Sequence, residues 1–534
     1  MHVLSKKWLL FGLFILFFLA TRLPRLNNDT INPDGVNWHF RTEQFIVGLK
    51  FRQFERTYQH YHPGVTLMWI SGIPIEFYKQ LNPAEVIYNQ FNFPTYDLIA
   101  KFSLIIVQLF LSVLTIYLLD KVLYVLFPKH SLFLSVASVA LFSFEPFFIG
   151  NSRLYHLDVL LALFLFDGLL LTILHLREFK WIYALLSGLF FSLAFLTKTL
   201  GVGGILFFIL FGGLFAFKTY GKKKVYKYVL SVLVPFLLFT FLLFPALWVK
   251  PLEVLTELYN EGERVGVRKG HGQIILGEYT RDGGLFFYPL VLLLKVTPFL
   301  LSGVFIMAGY VAHSKLIKKA TTLPNIIKSV FKISNLSNPV IYLSVLYIGY
   351  ALIMTYPTKK LDRYMIPVYP YLSLISVLGF YFIRDYLNKY ILRTLLVISA
   401  AVFYVIPLTN LYPYYFLYTS PVFGSAQNAN AVLAQKPLGI GIYDLKEFIK
   451  DNYANTYGDE PKLGFIDIKP MKSIYSNSKI FDIREISSTK FDLLILGVNE
   501  EFPKKVLDSD IKWVKDKVLF INGLEYWRVY VKEN

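Results

Sequence analysis

Long apolar runs recur along this chain: Trp8–Leu23, Leu104–Leu119, Leu132–Ile149, Val229–Trp248 and Leu285–Ala312 are examples. Each approaches or exceeds the roughly 18–20 residues that a helix needs to cross a bilayer. A backbone surrounded by lipid must satisfy its own hydrogen bonds, so these runs are helices. The length criterion gives about eleven spans, near 8–23, 99–119, 131–149, 156–174, 182–197, 201–217, 229–248, 286–312, 339–356, 365–383 and 393–411. Hydrophobic residues make up 55% of the chain and charged residues only 17%, a balance far from that of a soluble domain. The fold class is therefore mostly α, a polytopic membrane helix bundle. The first run is flanked by Lys6 and Lys7 but lacks a small-residue cleavage pattern, so it reads as a retained helix.

The net charge of +18 collects in short loops between the apolar runs. Lys121 and Lys129 form one group, Arg177 and Lys180 the next. Lys218, Lys222, Lys223, Lys224 and Lys227 follow the sixth span, and Lys315, Lys318, Lys319, Lys328 and Lys332 the eighth. Arg384, Lys389 and Arg393 follow the tenth. This alternation fits membrane topology rather than a nucleic-acid groove, so no nucleic acid is expected as a partner. The positive-inside rule places these loops and the N-terminus in the cytoplasm of a multi-pass protein of the cell membrane. An odd span count sends the C-terminal tail outside. The chain has no cysteine, which excludes disulfides, thiolate chemistry and Cys-based metal sites. His39 and His271 are not spaced as a metal set, and no metal is assigned.

The remaining loops, 24–98, 150–155, 198–200, 249–285 and 357–364, then face outward. The first is too long for a simple connector, and loops of that length are usually functional. It carries Asp34 after Asn32-Pro33, then Trp38, His39, Arg41 and Glu43, then Tyr61-His62-Pro63-Gly64. Residues 62–81 are apolar but interrupted by Pro74, which suits a segment lying along the interface. From about 412 the pattern changes to short β-like runs: Lys462–Ile466, Phe491–Leu496 and Trp527–Val531, with the helical stretch Leu445–Asn452 before them. We read residues 1–411 as the membrane domain and 412–534 as a small extracytoplasmic α/β domain.

Three further outward clusters carry ionisable groups at membrane depth, where they are costly and often functional. They are Asn151–Asp158, containing Arg153 and Asp158; Leu196–Gly201, containing Lys198; and Lys359-Lys360-Leu361-Asp362-Arg363-Tyr364. The last puts three cations where the charge rule disfavours them. A bound polyanion accounts for the exception, because Arg offers a planar fork to phosphate oxygens and Lys a point charge. A lipid carrier's phosphate is the natural anion at that depth. Asp34 would take the proton from an attacking hydroxyl or amine, and the cations would stabilise charge on the leaving phosphate. One base and one clamp suffice for a single-displacement, inverting sugar transfer. Plainer readings stand beside this one. Asp34 is also ordinary turn chemistry, and Arg153 with Asp158 fits a structural ion pair at a helix end. Lys198 fits an interfacial anchor, and the 359–363 cluster fits lipid headgroup binding.

These residues, in this order, resemble the GT-C class of membrane glycosyltransferases, and within it the protein O-mannosyltransferase and aminoarabinose-transferase-like superfamily. The features are Asp34 in the first outer loop, the turn His62-Pro63-Gly64, Ser152-Arg153 with Asp158, Lys198 with Gly201, and Lys360 with Arg363-Tyr364 and Pro367. The likeness runs from about 8 to 425 and includes Pro413-Tyr414-Tyr415 and Gly424. It implies a polyprenyl-phosphate-linked monosaccharide donor, hexosyl or pentosyl, and transfer outside the cytoplasm. It makes Asp34 the catalytic residue and Arg153, Lys360 and Arg363 the donor-phosphate ligands. His62, Glu43, Lys198, Lys359, Tyr364 and Asp158 become candidate substrate contacts. No cofactor is required. Family members often carry Asp-Glu where this chain has Asp34-Gly35, which leaves divalent metal use and the acceptor (protein, lipid or polysaccharide) open. Two rivals remain: a transporter or flippase of lipid-linked sugars, which would show symmetric repeats around a midplane site, and a scaffold whose tail binds a partner.

Overall fold

A computed structural model of the chain describes residues 2–83, 91–317, 338–384, 386 and 388–533. Lys318, Lys319, Lys328 and Lys332, expected in a cytoplasmic loop, lie outside the described residues. The apolar runs form helices. Among the described residues, six are long and apolar enough to cross a membrane, and two bent helix pairs raise this to eight. Shorter apolar helices at Trp8–Arg22, Trp181–Thr197 and Pro339–Met354 lie where three more spans are expected, so eleven crossings stays a topological expectation. The chain is a multi-pass membrane protein.

The bundle is built around α7 (Asp158–Glu178), whose apolar window is wholly buried inside the protein. α8 (Trp181–Thr197) packs along it. On its other flank lies α4 (Phe93–Tyr124), whose 32 residues make a rod of about 48 Å. That exceeds a hydrocarbon core of roughly 30 Å, so α4 reaches beyond it or tilts. α1 (His2–Arg22) packs against α4, α5 (Ser131–Ser143) and α6 (Pro146–Arg153).

Two expected spans are not continuous. The 131–149 run breaks between α5 and α6 with a 67° bend, and the 286–312 run breaks by 120° between Phe287–Lys295 and Pro298–His313. Proline opens the second helix of each pair: Pro146 and Pro298 lack an N–H, which the first helical position does not need. The two breaks hold each other. The buried Glu145 carboxylate, at the first break, accepts from the Thr297 N–H at 3.0 Å and the Thr297 hydroxyl at 2.5 Å, at the second. The Tyr404 hydroxyl donates to it as well.

The long first outer loop is largely helical, contrary to its reading as a loop. α2 (Pro33–Lys50) and α3 (Val65–Leu81) pack on each other, and α3 packs on α4. Pro74 lies inside α3 without ending it. Later in the chain β1 (Gln273–Ile275) and β2 (Glu278–Thr280) form an antiparallel hairpin.

The C-terminal part is a small α/β unit, as expected. Its sheet contains β3 (Leu463–Phe465), β4 (Ile480–Asp482), β5 (Leu493–Gly497), β6 (Trp513–Ile521) and β7 (Leu524–Lys532), in the order β4-β3-β5-β7-β6. β3 is parallel to β4 and β5; β7 is antiparallel to β5 and β6. This unit sits on the start of α2. The Ile31 N–H bonds the Gly439 carbonyl at 3.2 Å, the Gly441 N–H bonds that of Asp29 at 3.1 Å, and Arg25 pairs with Asp444 at 2.6 Å.

Candidate active site

The site begins at the N-terminus of α2. Asn32 caps the helix, its side-chain oxygen accepting the Asp34 N–H at 3.0 Å, and Pro33 occupies the first helical position. Asp34 thus stands in the first turn, where a negative charge is favoured by the helix dipole. Its side chain is 47% exposed. Trp38 and Arg41 follow at i+4 and i+7, on the same helix face. The His62-Pro63-Gly64 turn closes on that face. Gly64 has φ +62°, and an added Cβ would lie 2.2 Å from the Trp38 ring, so only glycine fits. Its N–H bonds the Thr197 carbonyl at 3.2 Å, and the His62 ring meets the Thr199 hydroxyl at 3.3 Å. The turn therefore joins α2 and α3 to the end of α8. Burial and the nearby Lys198 hold His62 well below its usual range, so the ring is neutral at pH 7.

Residues from four distant segments meet here. The Arg363 guanidinium bridges two carboxylates: Nη2 lies 2.7 Å from Asp34 and Nε 3.3 Å from Asp158. Asp158, the first residue of the central helix α7, is also held by Lys198 Nζ at 2.6 Å. The His156 ring stands between the same two acids, with Nδ1 2.9 Å from Asp158 and Nε2 3.6 Å from Asp34. The Lys198 ammonium lies 4.0 Å from the Tyr364 ring centre. Burial pushes the Asp34 carboxyl up, but the contact with His156 and the charges of Arg363, His156 and Lys359 outweigh it and hold it well below the usual carboxylate range.

Two further cations sense Asp34. Lys359 donates to the Tyr61 hydroxyl at 3.2 Å, and Arg41 lies 4.6 Å from the Trp38 ring centre. Neither has a carboxylate at ion-pair distance among the described residues. Burial pulls both below their usual range while Asp34 draws them up. Four cations (Arg363, Lys198, Lys359 and Arg41) thus face the two carboxylates of Asp34 and Asp158. An anion is the complement of that surplus.

Three expected site residues have other partners. Arg153, 2% exposed, spends its guanidinium on Asp29 at 2.7 and 3.0 Å and on the carbonyls of Thr21, Arg22 and Pro24. Asp29 belongs to a second buried network, with Lys101 at 3.4 Å, Lys101 on Asp97 at 2.7 Å, and Asp97 on His39 at 3.0 Å. Lys360 pairs with Asp282 of the 249–285 loop and donates to the Pro357 carbonyl at 2.8 Å. Glu43 lies nine residues beyond Asp34, roughly 180° around the helix, and pairs with Lys79 at 3.2 Å. There it lines a cavity of about 330 Å³ between α2 and α3. Among the described residues, no three His, Asp or Glu side chains are grouped to hold a metal ion.

His156 and Arg41 are the residues that motif reading passed over. Arg41 was detectable from its i+7 spacing once α2 is recognised as a helix. His156 follows from no spacing rule, because it lies in the bend between α6 and α7.

No family model matches the chain, and comparison with curated proteins finds no match. Among solved structures it is similar to ArnT from Cupriavidus metallidurans bound to undecaprenyl phosphate, at 13% identity and TM-score 0.50, covering 98% of each chain. ArnT in the apo state gives 13% identity and TM-score 0.47, with 98% of each chain covered. The oligosaccharyltransferase AglB from Archaeoglobus fulgidus, in complex with an inhibitory peptide and a dolichol-phosphate, gives 12% and 0.43, covering 92% of this chain and 69% of that one. The last two scores are too low to establish a shared fold. Over 98% of its length, then, the chain shares the fold of ArnT.

Proposed function

We propose that this protein is an inverting glycosyltransferase that moves a monosaccharide from a polyprenyl-phosphate carrier to an acceptor hydroxyl or amine, on the side of the membrane opposite the basic loops. The supporting observation is the pair formed by Asp34 and Arg363, 2.7 Å apart and 329 residues apart in sequence. A base and a phosphate ligand are adjacent there, in a fold shared with a protein solved with undecaprenyl phosphate.

In this reading the donor phosphate binds Arg363, Lys359 and Arg41, rather than Arg153 and Lys360, which pair with Asp29 and Asp282. Lys359 and Arg41 meet the anion without breaking an ion pair. Arg363 exchanges Asp34 for the phosphate while its Nε keeps Asp158. With that cation shared, the Asp34 carboxyl rises towards a useful basicity, since a base works best when its pKa approaches the ambient pH. The acceptor heteroatom then attacks the anomeric carbon opposite the phosphate, and Asp34 takes its proton. The carbon–oxygen bond to phosphate breaks with its electron pair, leaving polyprenyl phosphate among the cations. Lys198 and His156 hold Asp158, and so the far end of the Arg363 fork.

The test uses membranes containing the protein and radiolabelled polyprenyl-phosphate sugars. The expected result is label on an acceptor with stoichiometric release of polyprenyl phosphate. Intact lipid-linked sugar moved across the bilayer, with no phosphate lipid released, would replace the transferase by a transporter.

A further inference from the structure

The span Lys222–Leu243 packs on α8 but keeps most of its apolar surface on the outside of the bundle. Its exposed residues Leu230, Val234, Leu237, Leu238, Phe241 and Leu242 recur at helical spacing and form one stripe. On a membrane bundle such a stripe is the lipid face. The stripe does not stop where the span does. Trp248 turns back and donates from Nε1 to the Phe241 carbonyl at 2.6 Å, and its ring is 42% exposed beside that last turn. A tryptophan with its N–H satisfied and its ring bared suits the boundary between membrane and water.

Three residues past Trp248 a further helix begins, Pro251–Glu261. Its residues sort by angle around the axis. Val254 and Leu258 are buried and join the cluster of Phe45, Met68, Phe244 and Leu247. Leu252, Leu255 and Tyr259 fall within about 60° of one another at roughly 100° per residue. They adjoin the buried edge, yet they are 79%, 47% and 71% exposed. The opposite arc carries Glu253, Thr256, Glu257, Asn260 and Glu261. One half of this helix is therefore apolar, and only part of that half is used against the protein.

Large apolar side chains bared along one arc, with the polar residues confined to the other, mark a helix that lies in the plane of a bilayer surface. Free helices of that kind draw on basic residues to reach the membrane. This one has an acidic polar arc, but it is tethered: Pro251 stands eight residues past Leu243, the end of the span. The apolar arc continues the lipid face through Phe241 and Trp248, which selects lipid over a protein as its partner. We infer that the helix Pro251–Glu261 is an in-plane membrane anchor, with Leu252, Leu255 and Tyr259 among the acyl chains of the leaflet at the outer end of the span and Glu253 and Glu257 in water. Its depth is passed on to the candidate site. The segment directly after it carries Val267, whose carbonyl accepts the Thr358 N–H at 3.0 Å and the Thr358 hydroxyl at 2.8 Å, next to Lys359.

The chain has no cysteine of its own, so single cysteines can report position. The full-length protein is placed in phosphatidylcholine nanodiscs as Leu252→Cys, Glu253→Cys, Leu255→Cys, Glu257→Cys or Tyr259→Cys, each carrying a nitroxide spin label. Collisions are measured with oxygen, which concentrates in the bilayer, and with a water-soluble nickel chelate. The oxygen-to-nickel ratio should be about tenfold higher at 252, 255 and 259 than at 253 and 257, as expected for an interfacial helix; Leu242→Cys on the lipid face should side with the first group. Leu255→Cys against Glu257→Cys alone decides the matter if another variant fails to fold. Equal ratios at all positions of the helix overturn the inference, because the helix then stands in water. Few collisions with either reagent at 252, 255 and 259 overturn it too, because protein then covers the arc; broadening between labels would show that the cover is a second copy of this chain.

Discussion

Replacing Arg153 by Met separates structure from chemistry in this molecule. The substitution keeps volume and apolar stem but removes a guanidinium that meets Asp29 at 2.7 and 3.0 Å and three backbone carbonyls at the end of α1. Asp29 is then left with Lys101 at 3.4 Å and the Thr30 N–H at 2.6 Å. Removing one partner of a buried ion pair costs about 3–5 kcal/mol, because an uncompensated charge stays buried. That is roughly two to four orders of magnitude in the folding equilibrium. The assay is thermal unfolding in detergent, read beside binding of undecaprenyl phosphate to the fraction that remains folded. We expect a large loss of folded protein, with lipid affinity in the survivors within about threefold of the parent. Normal stability with selectively lost lipid binding would refute the reasoning and restore Arg153 as a phosphate ligand.

Three other outcomes follow from the same geometry. Gly64→Ala places a side chain at φ +62° and a Cβ 2.2 Å from the Trp38 ring; the backbone strain alone costs about 1–3 kcal/mol, so thermal unfolding should shift down, and an unchanged midpoint would contradict the packing joint. Arg363→Ala removes charge-assisted bonds worth roughly 1.5–3 kcal/mol. It should weaken undecaprenyl phosphate binding about 10- to 150-fold, while Lys198 still holds Asp158; unchanged affinity would remove Arg363 from the site. Burial pulls Lys436 down to about 8, against the pull of Asp362. Thermal unfolding followed from about pH 8 to about pH 10 should therefore show a contribution from this group that Lys436→Gln lacks. The same depression makes the unfolded chain bind more protons between about 8 and the ordinary lysine value, so this group's share of stability rises with pH across that window.

Much of the architecture was legible because lipid demands helices of known length and charge follows the loops. The C-terminal α/β unit was legible from its short β-like runs. What escaped was tertiary. α2 is too polar to look like a span, yet its buried positions Gly35, Trp38, Thr42 and Phe45 recur at helical spacing behind an Asn32-Pro33 cap. The bends at Pro146 and Pro298 depend on Glu145 meeting Thr297 across the bundle. The cationic motif at 359–363 was visible, but which lysine faces Asp34 was not. Asp282 captures Lys360, and that partner lies in a different loop. Arg153 and Asp158 stand five residues apart, yet the bend between α6 and α7 sends them into separate networks.

The central claim is that Asp34 takes the acceptor's proton. The direct measurement is single-turnover transfer from a labelled polyprenyl-phosphate sugar by Asp34→Asn, with undecaprenyl phosphate binding determined on the same preparation. The account predicts a rate lowered by about 10²–10⁴, the usual yield of a positioned general base, with lipid phosphate bound at least as well as by the parent. Transfer at the parent's rate by a folded Asp34→Asn protein would contradict it.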